Sequence, residues 1–386
     1  MRKAVVIDAV RTPVGKASAD AGIFRDVRSE ILSADLIRAL VKRTGIEPAL
    51  IDDVRWGCVM QQKEQGFDIA RIAALIADLP VETGGVTINR NCASSLQAIN
   101  DCAANIAANC EDVQIAGGVE HMDHVPMTAG YDPCPALFRK NSEGVMHMGL
   151  TAEYLASKYR IGREAQDEYA CRSHNLAAAA TEAGQFENEV IPTWGRNGEP
   201  GKTLQTVDQC IRFDCKLEGL AALRPVFNPA GGSVTAGNSS PLNVGAAAML
   251  VMSEEKAAEL EMQPMARIKA WAVAGVDPSE MGIGPVPAVH KALKRANLTL
   301  DDIGAIELNE AFAVQALSVL KLLGIGPENV NTRGGAIAIG HPLGGSGARI
   351  ATTLLHRMRD DSVKYGLATM CIGQGQGAAT IFELCE

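Results

Sequence analysis

Alternation constrains this chain more than any other feature. Short apolar runs of strand length are followed repeatedly by segments whose apolar residues recur at helical spacing. Residues 3–10 read as a buried strand ended by Arg11-Thr12-Pro13, and residues 30–43 carry Ile31, Leu32, Leu36, Ile37, Leu40 and Val41 as a helical stripe that stops at Gly45. The rhythm continues through a strand at 54–59, a helix at 70–77, a strand at 85–88, a helix at 94–109 and a strand at 113–118. Such an order predicts an α/β fold with a mostly parallel sheet.

From residue 121 to 241 the rhythm breaks. Met, Pro, Gly and Asn cluster there around helical runs near 151–160 and 163–183, the pattern of an inserted loop-rich unit. Alternation resumes at 245–252 and runs through helix 287–296, strand 303–307, helices 311–323 and 346–358, and strand 376–383. A strand, a Gly/Asn turn, a chemically distinctive residue and a helix follow one another around Cys92, and the same order returns around His341. Two similar halves suit a length of 386 residues. The longest charge-free run, 225–253, is too rich in Gly, Pro and Asn to be a membrane helix.

Composition removes several function classes. Lys and Arg number 36 against 45 Asp and Glu, a net charge of −9, which excludes a generally basic nucleic-acid coat. Aromatic residues at 4% are too few for a base-stacking platform. The ten cysteines are scattered, no CxxC occurs, and the start lacks a signal-peptide pattern, so a reducing, cytoplasmic setting with free thiols is expected.

Four positions could carry chemistry. Cys92, in Thr87-Ile-Asn-Arg-Asn-Cys-Ala-Ser-Ser, is predicted where a strand turns sharply into a helix, and a helix N-terminus lowers a thiol's pKa. The bland alternative, a buried inert thiol, carries equal weight. His341, in Gly340-His-Pro-Leu-Gly-Gly-Ser-Gly347, stands in a conspicuous loop where Pro342 holds it extended, which favours function over a structural histidine. Cys371 precedes Gly373-Gln-Gly375, whose backbone N–H groups suit an oxyanion site; a glycine turn with an incidental thiol is the alternative. Asn309 taken alone reads as a helix N-cap. The glycines at 344–347 lack the GK[ST] of a P-loop, and His121-Met-Asp-His124 lacks a third ligand at diagnostic spacing, so no metal is expected.

Taken together, Cys92, Asn309-Glu-Ala-Phe-Ala313, Gly340-His-Pro342 and Cys371-Ile-Gly-x-Gly375 closely resemble the thiolase family in family order, with further matches at Gly117-Gly-Val-Glu-His-Met122, His147-Met-Gly149, Val234-Thr-Ala-Gly-Asn238 and Gly245-Ala-Ala-Ala248. The likeness spans essentially the whole chain. Trp56-Gly-Cys-Val59, Glu64-Gln-Gly-Phe67, His121-Met-x-His-Val-Pro-Met127 and Gly284-Pro-Val-Pro287 are most similar to the degradative thiolase (β) subunits of bacterial fatty-acid oxidation complexes. The resemblance implies two similar βαβαβαββ halves forming a five-layer αβαβα core, residues 1–120 plus 242–263 and 264–386, with 121–241 an inserted loop domain for CoA. It implies an acyltransferase that cleaves 3-ketoacyl-CoA with CoA to acetyl-CoA and a shortened acyl-CoA, the alternative being biosynthetic condensation to acetoacetyl-CoA. A silent carrier subunit and a Cys–His hydrolase are weaker rivals, the first because the reactive set is intact, the second because no acid is visible to orient His341.

The roles the resemblance implies are as follows. Cys92 is the acylated nucleophile, His341 its base and later an oxyanion-hole donor, and Cys371 the second acid/base. Asn309, through a water, joins His341 in one oxyanion hole; the N–H groups of Cys92 and Gly373 form the other. For CoA, His147 and Met148 would lie near the thioester, Arg212 at the adenine/phosphate end, Phe227 and Ser240 along the pantetheine arm, and Ala311 and Phe312 beside it. CoA would be a cosubstrate and no cofactor tightly bound. Implied partners are a second copy, as homodimer or dimer of dimers, and a multifunctional enoyl-CoA hydratase/3-hydroxyacyl-CoA dehydrogenase subunit; nucleic acid is not a partner. Asn91, Ala93, Asp123, Val244 and Gly345 depart from the usual family residues without removing a reactive group.

Overall fold

The structure is a computed structural model and describes residues 2–197 and 199–385. Its first half runs β1 (Ala4–Arg11), a two-residue β2 (Gly15–Lys16), α1 (Ser29–Thr44), β3 (Asp53–Gly57), α2 (Ile69–Ile76), β4 (Gly84–Ile88), α3 (Ser94–Ala107) and β5 (Val113–His121). The interrupted rhythm becomes an insertion with α4 (Met148–Tyr159), α5 (Arg163–Glu182), a hairpin of β6 (Thr193–Asn197) and β7 (Glu199–Gln205), and a short α6 (Leu217–Ala221). β8 (Asn243–Ser253) then returns to the first half, followed by α7 (Glu254–Glu259). The second half is β9 (Ala266–Gly275), α8 (Pro285–Ala296), β10 (Ala305–Leu308), α9 (Ala313–Leu323), α10 (Leu343–Asp360), β11 (Tyr365–Ile372) and β12 (Gln376–Leu384).

The strands join in the order β10-β11-β12-β9-β1-β8-β5-β3-β4, with β2 paired to β8. Among the described residues, the strands of the two halves pair only where Val5 and Val6 meet Arg267 and Ala266, a short seam in the strand order. The expectation of a mostly parallel sheet is corrected. Only β3/β4, β3/β5 and β10/β11 run parallel, whereas β1/β8, β5/β8, β9/β12, β11/β12 and the seam run antiparallel. Each half ends on two strands with no crossover helix of its own between them, and that return forces the antiparallel pairing. The internal echo is also incomplete. The second half's counterpart of β4 shrinks to a single bridge, Ile306 to Val330, and residues 335–339 form turns instead of a strand.

Three apolar layers hold the five together. Leu96 and Ile99 of α3 and Ile350 and Leu354 of α10 pack between the inner faces of both sheets, none of them exposed. Leu36, Ile37 and Leu40 of α1 and Ile69 and Ala73 of α2 cover one outer face; Val289 and Leu293 of α8 and Val319 of α9 cover the other. Truncating any of the central leucines to Ala costs ~2–5 kcal/mol, a cavity cost. α3 and α10 approach closely because residue 347 is Gly: a Cβ there would lie 2.3 Å from Leu96 N. Cys92 and His341 each stand just before one of these two central helices, whose N-caps are Ala93 and Pro342. Among the described residues no helix is long and apolar enough to cross a membrane.

Candidate active site

Cys92 is placed by the turn from β4 into α3. Asn91 adopts φ 46°, a left-handed conformation that Asn tolerates better than a bulky or branched residue. The Ser94 hydroxyl closes the turn, accepting from Arg90 N–H at 2.9 Å and donating to Asn91 O at 2.6 Å. Asn91 Nδ2 also donates to Gly373 O at 3.3 Å, so the turn is tied to the β11–β12 hairpin. The thiol is half-buried. Its expected activation by the helix end is corrected: burial pushes it up to about 11, opposed by the backbone N–H groups of Gly373 and of Cys92 itself. The resting group is therefore a thiol, and forming the thiolate requires a base. Gly373 lines the same cavity as Cys92.

His341 supplies a neutral imidazole. Gly340 has φ +124°, and a Cβ there would meet Val14 at 2.6 Å, so only Gly fits. His341 N–H donates to Asn243 Oδ1 at 2.8 Å, Nδ1 lies 2.6 Å from Ser346 Oγ, and Nε2 lies 3.4 Å from Asn309 Nδ2. This network assigns the proton to Nδ1, facing Ser346, and leaves Nε2 unprotonated, its lone pair accepting a long contact from the Asn309 amide. Burial, with the Arg349 charge adding to it, pushes the imidazole down to about 3. Ser346 thus fills the orienting place that sequence reading left empty. Asn309 does not cap α9, whose N-cap is Phe312; its amide turns to His341 instead.

One further group is not marked as reactive by the sequence. Buried Glu120 accepts from Val59 N–H (3.0 Å), Met60 N–H (3.0 Å), Gln65 Nε2 (2.8 Å) and Gly344 N–H (2.9 Å), fixing the first turn of α10 below His341. Burial raises its pKa, while those donors oppose the rise. Its signal is an acid inside a fully buried strand. Cys371 sits at the end of β11, and Gln374 (φ 67°) and Gly375 (φ 83°) make the hairpin that exposes the Gly373 backbone. The glycine turn is real, yet the thiol is not incidental: it lines the same cavity as Cys92, and burial, then the neighbouring Cys92, push its pKa far up.

That cavity, of about 410 Å³, is lined by Cys92, His341, Cys371 and Gly373 at its base. Of the expected CoA contacts, His147, Met148, Phe227, Ser240, Ala311 and Phe312 line it as well. Phe227 and Phe312 meet edge to face at 6.2 Å, and Ser240 N–H donates to Ala311 O at 3.0 Å, joining the insertion to the second half. Arg212 is the exception. It is exposed and outside this lining, its N–H donates to His174 Nδ1 at 3.2 Å, and among the described residues its side chain makes no ion pair with Asp214. The cavity's apolar wall, including Met122, Met127, Tyr131, Met146 and Met281, was not read from sequence.

Glu64 completes a cluster with His121 and His124. The sequence spacing gave no third ligand because Glu64 comes from a separate loop. Its nitrogens are engaged, however. His121 Nδ1 accepts from His124 N–H (3.1 Å) and Nε2 donates to Phe24 O (3.1 Å); His124 donates from Nδ1 to Glu64 (3.0 Å) and from Nε2 to Arg25 O (2.7 Å). The set is a hydrogen-bond clamp in which every histidine ring nitrogen is already engaged.

Residues 4–255 match the family model for the thiolase N-terminal domain, and residues 262–384 that for the thiolase C-terminal domain. The chain is 54% identical over 387 aligned residues to a 3-ketoacyl-CoA thiolase of Pseudoalteromonas translucida, covering 99% of each, and 53% identical to one of Vibrio cholerae, covering 99% of this chain and 100% of that one. Among solved structures, human mitochondrial 3-ketoacyl-CoA thiolase superposes with a TM-score of 0.92 at 38% identity, and Bacillus anthracis acetyl-CoA acetyltransferase with 0.92 at 39%; each likeness covers 100% of this chain and 99% of the other.

Proposed function

The chain belongs to the thiolase family, and from that premise we propose that it is a degradative 3-ketoacyl-CoA thiolase, cleaving 3-ketoacyl-CoA with CoA to acetyl-CoA and a shortened acyl-CoA. The observation that carries this reading is the convergence of two thiols, a neutral imidazole and the Gly373 backbone on one apolar cavity. The reaction is a reverse Claisen cleavage. His341 Nε2 takes the Cys92 proton, and the sulfur attacks the ketone carbon. The alkoxide lies against the N–H groups of Cys92 and Gly373. The C–C bond then breaks, and the electron pair passes into the enolate of acetyl-CoA. Its thioester oxygen is held by His341 and, through a water, Asn309, and its α-carbon takes the Cys371 proton. CoA enters, gives its thiol proton to the Cys371 thiolate, and attacks the acyl group on Cys92. The leaving Cys92 sulfur recovers its proton from His341. Every proton removed is returned, so the cycle uses CoA as cosubstrate and no tightly bound cofactor.

The insertion at 121–241 contributes His147, Met148, Phe227 and Ser240 to the cavity, which supports reading it as the CoA-binding unit, with Arg212 meeting the distant phosphate end. A homodimer is supported by β4, which ends the sheet order with one edge unpaired among the described residues, and by Phe67 beside it, 99% exposed. The likeness to β subunits supports docking with a hydratase/dehydrogenase partner, and ten free cysteines support a cytoplasmic setting. Thiolysis rates across a series of 3-ketoacyl-CoA lengths test the reading. Turnover of chains beyond four carbons supports it; activity on acetoacetyl-CoA alone assigns the biosynthetic role, and no turnover at all removes it.

A further inference from the structure

The clamp of Glu64, His121 and His124 stands outside the reacting groups, yet it sits at the root of one cavity wall. β5 ends at His121, and Met122, Met127, Thr128 and Tyr131, which follow, face the cavity. Three contacts fasten this wall to the loop at 58–65: His124 to Glu64, Lys63 Nζ to His124 O at 3.1 Å, and Gln62 Nε2 to Ala129 O at 3.0 Å. Both ring nitrogens of His124 face pure acceptors, the Glu64 carboxylate and the Arg25 carbonyl. Satisfying both requires two N–H groups, hence an imidazolium. Glu64 accepts also from Ser29 N–H (2.9 Å) and Ser29 Oγ (2.7 Å), as an ionised carboxylate does. His121 stacks on His124 with centroids 3.6 Å apart and planes 13° apart, and its own hydrogen bonds require the neutral form.

We propose that His124 is a charged clamp that sets the position of the wall from Met122 to Tyr131 and thereby selects the apolar chain the cavity accepts. As a statement about acyl chains, this rests on the proposed function. The charges facing the clamp are consistent. The hydrogen bond to Glu64 raises His124, with burial opposing, and Glu64 is held down to about 2 despite burial by its bonds to His124 and Ser29. Arg28 lies 3.9 Å behind Glu64, and Arg25 is paired with Asp123 at 3.0 Å, so its own charge is offset. Burial, followed by the His124 charge, pushes His121 down to about 4. The raised His124 contributes its hold fully below the ordinary histidine pKa and loses it as pH rises through its own, higher value. Chain selection should therefore relax on the alkaline side.

The test uses the full chain and does not depend on turnover. Nitrogen-15 histidine NMR should find His124 with both nitrogens protonated at neutral pH and His121 neutral. Cys92 labelling is then compared between N-ethylmaleimide and N-octylmaleimide. In His124→Gln the octyl-to-ethyl rate ratio should change about fivefold, with the ethyl rate within about twofold. Glu64→Gln serves as a second variant should the first fold poorly, and the wild-type ratio should drift toward theirs at alkaline pH. A neutral His124, or a ratio unchanged in both variants, overturns the proposal. A shifted ratio in a protein that turns over no 3-ketoacyl-CoA would remove the proposed function and leave the clamp standing.

Discussion

The two turns that precede the central helices follow one plan and end in opposite states. Before α3, the turn at Asn91–Ala93 leaves Cys92 half-buried at the cavity base, braced by Ser94 and by Asn91 reaching the hairpin at Gly373. Before α10, the turn at Gly340–Pro342 buries His341 and surrounds it with Asn243, Ser346 and Asn309, while Glu120 fixes Gly344 beneath it. One turn presents a half-buried thiol and the other a buried, uncharged imidazole, and both line the same cavity. The difference follows from local sequence: a full strand feeds Cys92, whereas a chain of turns with Gly340 at positive φ lets His341 sink below the surface.

Removing the group each turn presents should give the largest effects. In the first turn, Cys92→Ala should lower turnover by roughly 10⁴-fold or more, as loss of a covalent nucleophile does, with thermal unfolding unchanged. His341→Asn should lower kcat by roughly 10²–10⁴-fold, the usual range for a general base. It should also alter acid stability. His341 and His121, pushed down to about 3 and about 4 by burial, stay neutral while the unfolded chain takes up protons from the ordinary histidine value downward. Their stabilising contribution is therefore complete above that value and is lost as pH falls toward the folded pKa values. Denaturant unfolding between those limits should lose up to about 1.4 kcal/mol per pH unit for each such histidine, and His341→Asn should remove one share of that slope. An unchanged slope would place His341 in water and end the contrast between the turns.

Ser346→Ala sharpens the comparison. Losing the 2.6 Å partner of Nδ1 costs about 1–1.5 kcal/mol, hence roughly tenfold in kcat, with the KM for CoA unchanged. A loss as large as that of His341→Asn would mean that Ser346 does more than orient the ring. Smallest is Arg212→Ala, outside both turns. If it meets the phosphate end of CoA, KM for CoA rises up to about tenfold, ~1.4 kcal/mol, while kcat stays. Equal KM in both proteins would return Arg212 to an exposed surface role, worth ~0–1 kcal/mol.

Legibility followed punctuation. Cys92, His341 and the Cys371 hairpin were readable because Asn, Gly and Pro mark the turns that present them, and the apolar period marked α1, α3 and α10 to within a few residues at most ends. Asn309 read as a cap because its partner, His341, is distant in sequence. Ser346 was hidden for the opposite reason: it lies five residues from His341, where the start of α10, three residues earlier than read, folds it back under the ring. β9 carried its signal, alternating buried Ile268, Ala270 and Ala272 with Lys269 and Trp271, but its small residues masked the period. The parallel expectation failed because pairing direction depends on which strands return without a helix, and that is a property of tertiary closure.

The central claim is that Cys92 carries the acyl group between two half-reactions. Its most direct test is to mix the protein with 3-ketoacyl-CoA, quench before much CoA is added, and locate the added mass by peptide mapping. One acyl group is expected, on the Cys92 peptide alone, released as acyl-CoA when CoA is supplied. Acyl mass on Cys371, or turnover at full rate with Cys92 unmodified throughout, would contradict it.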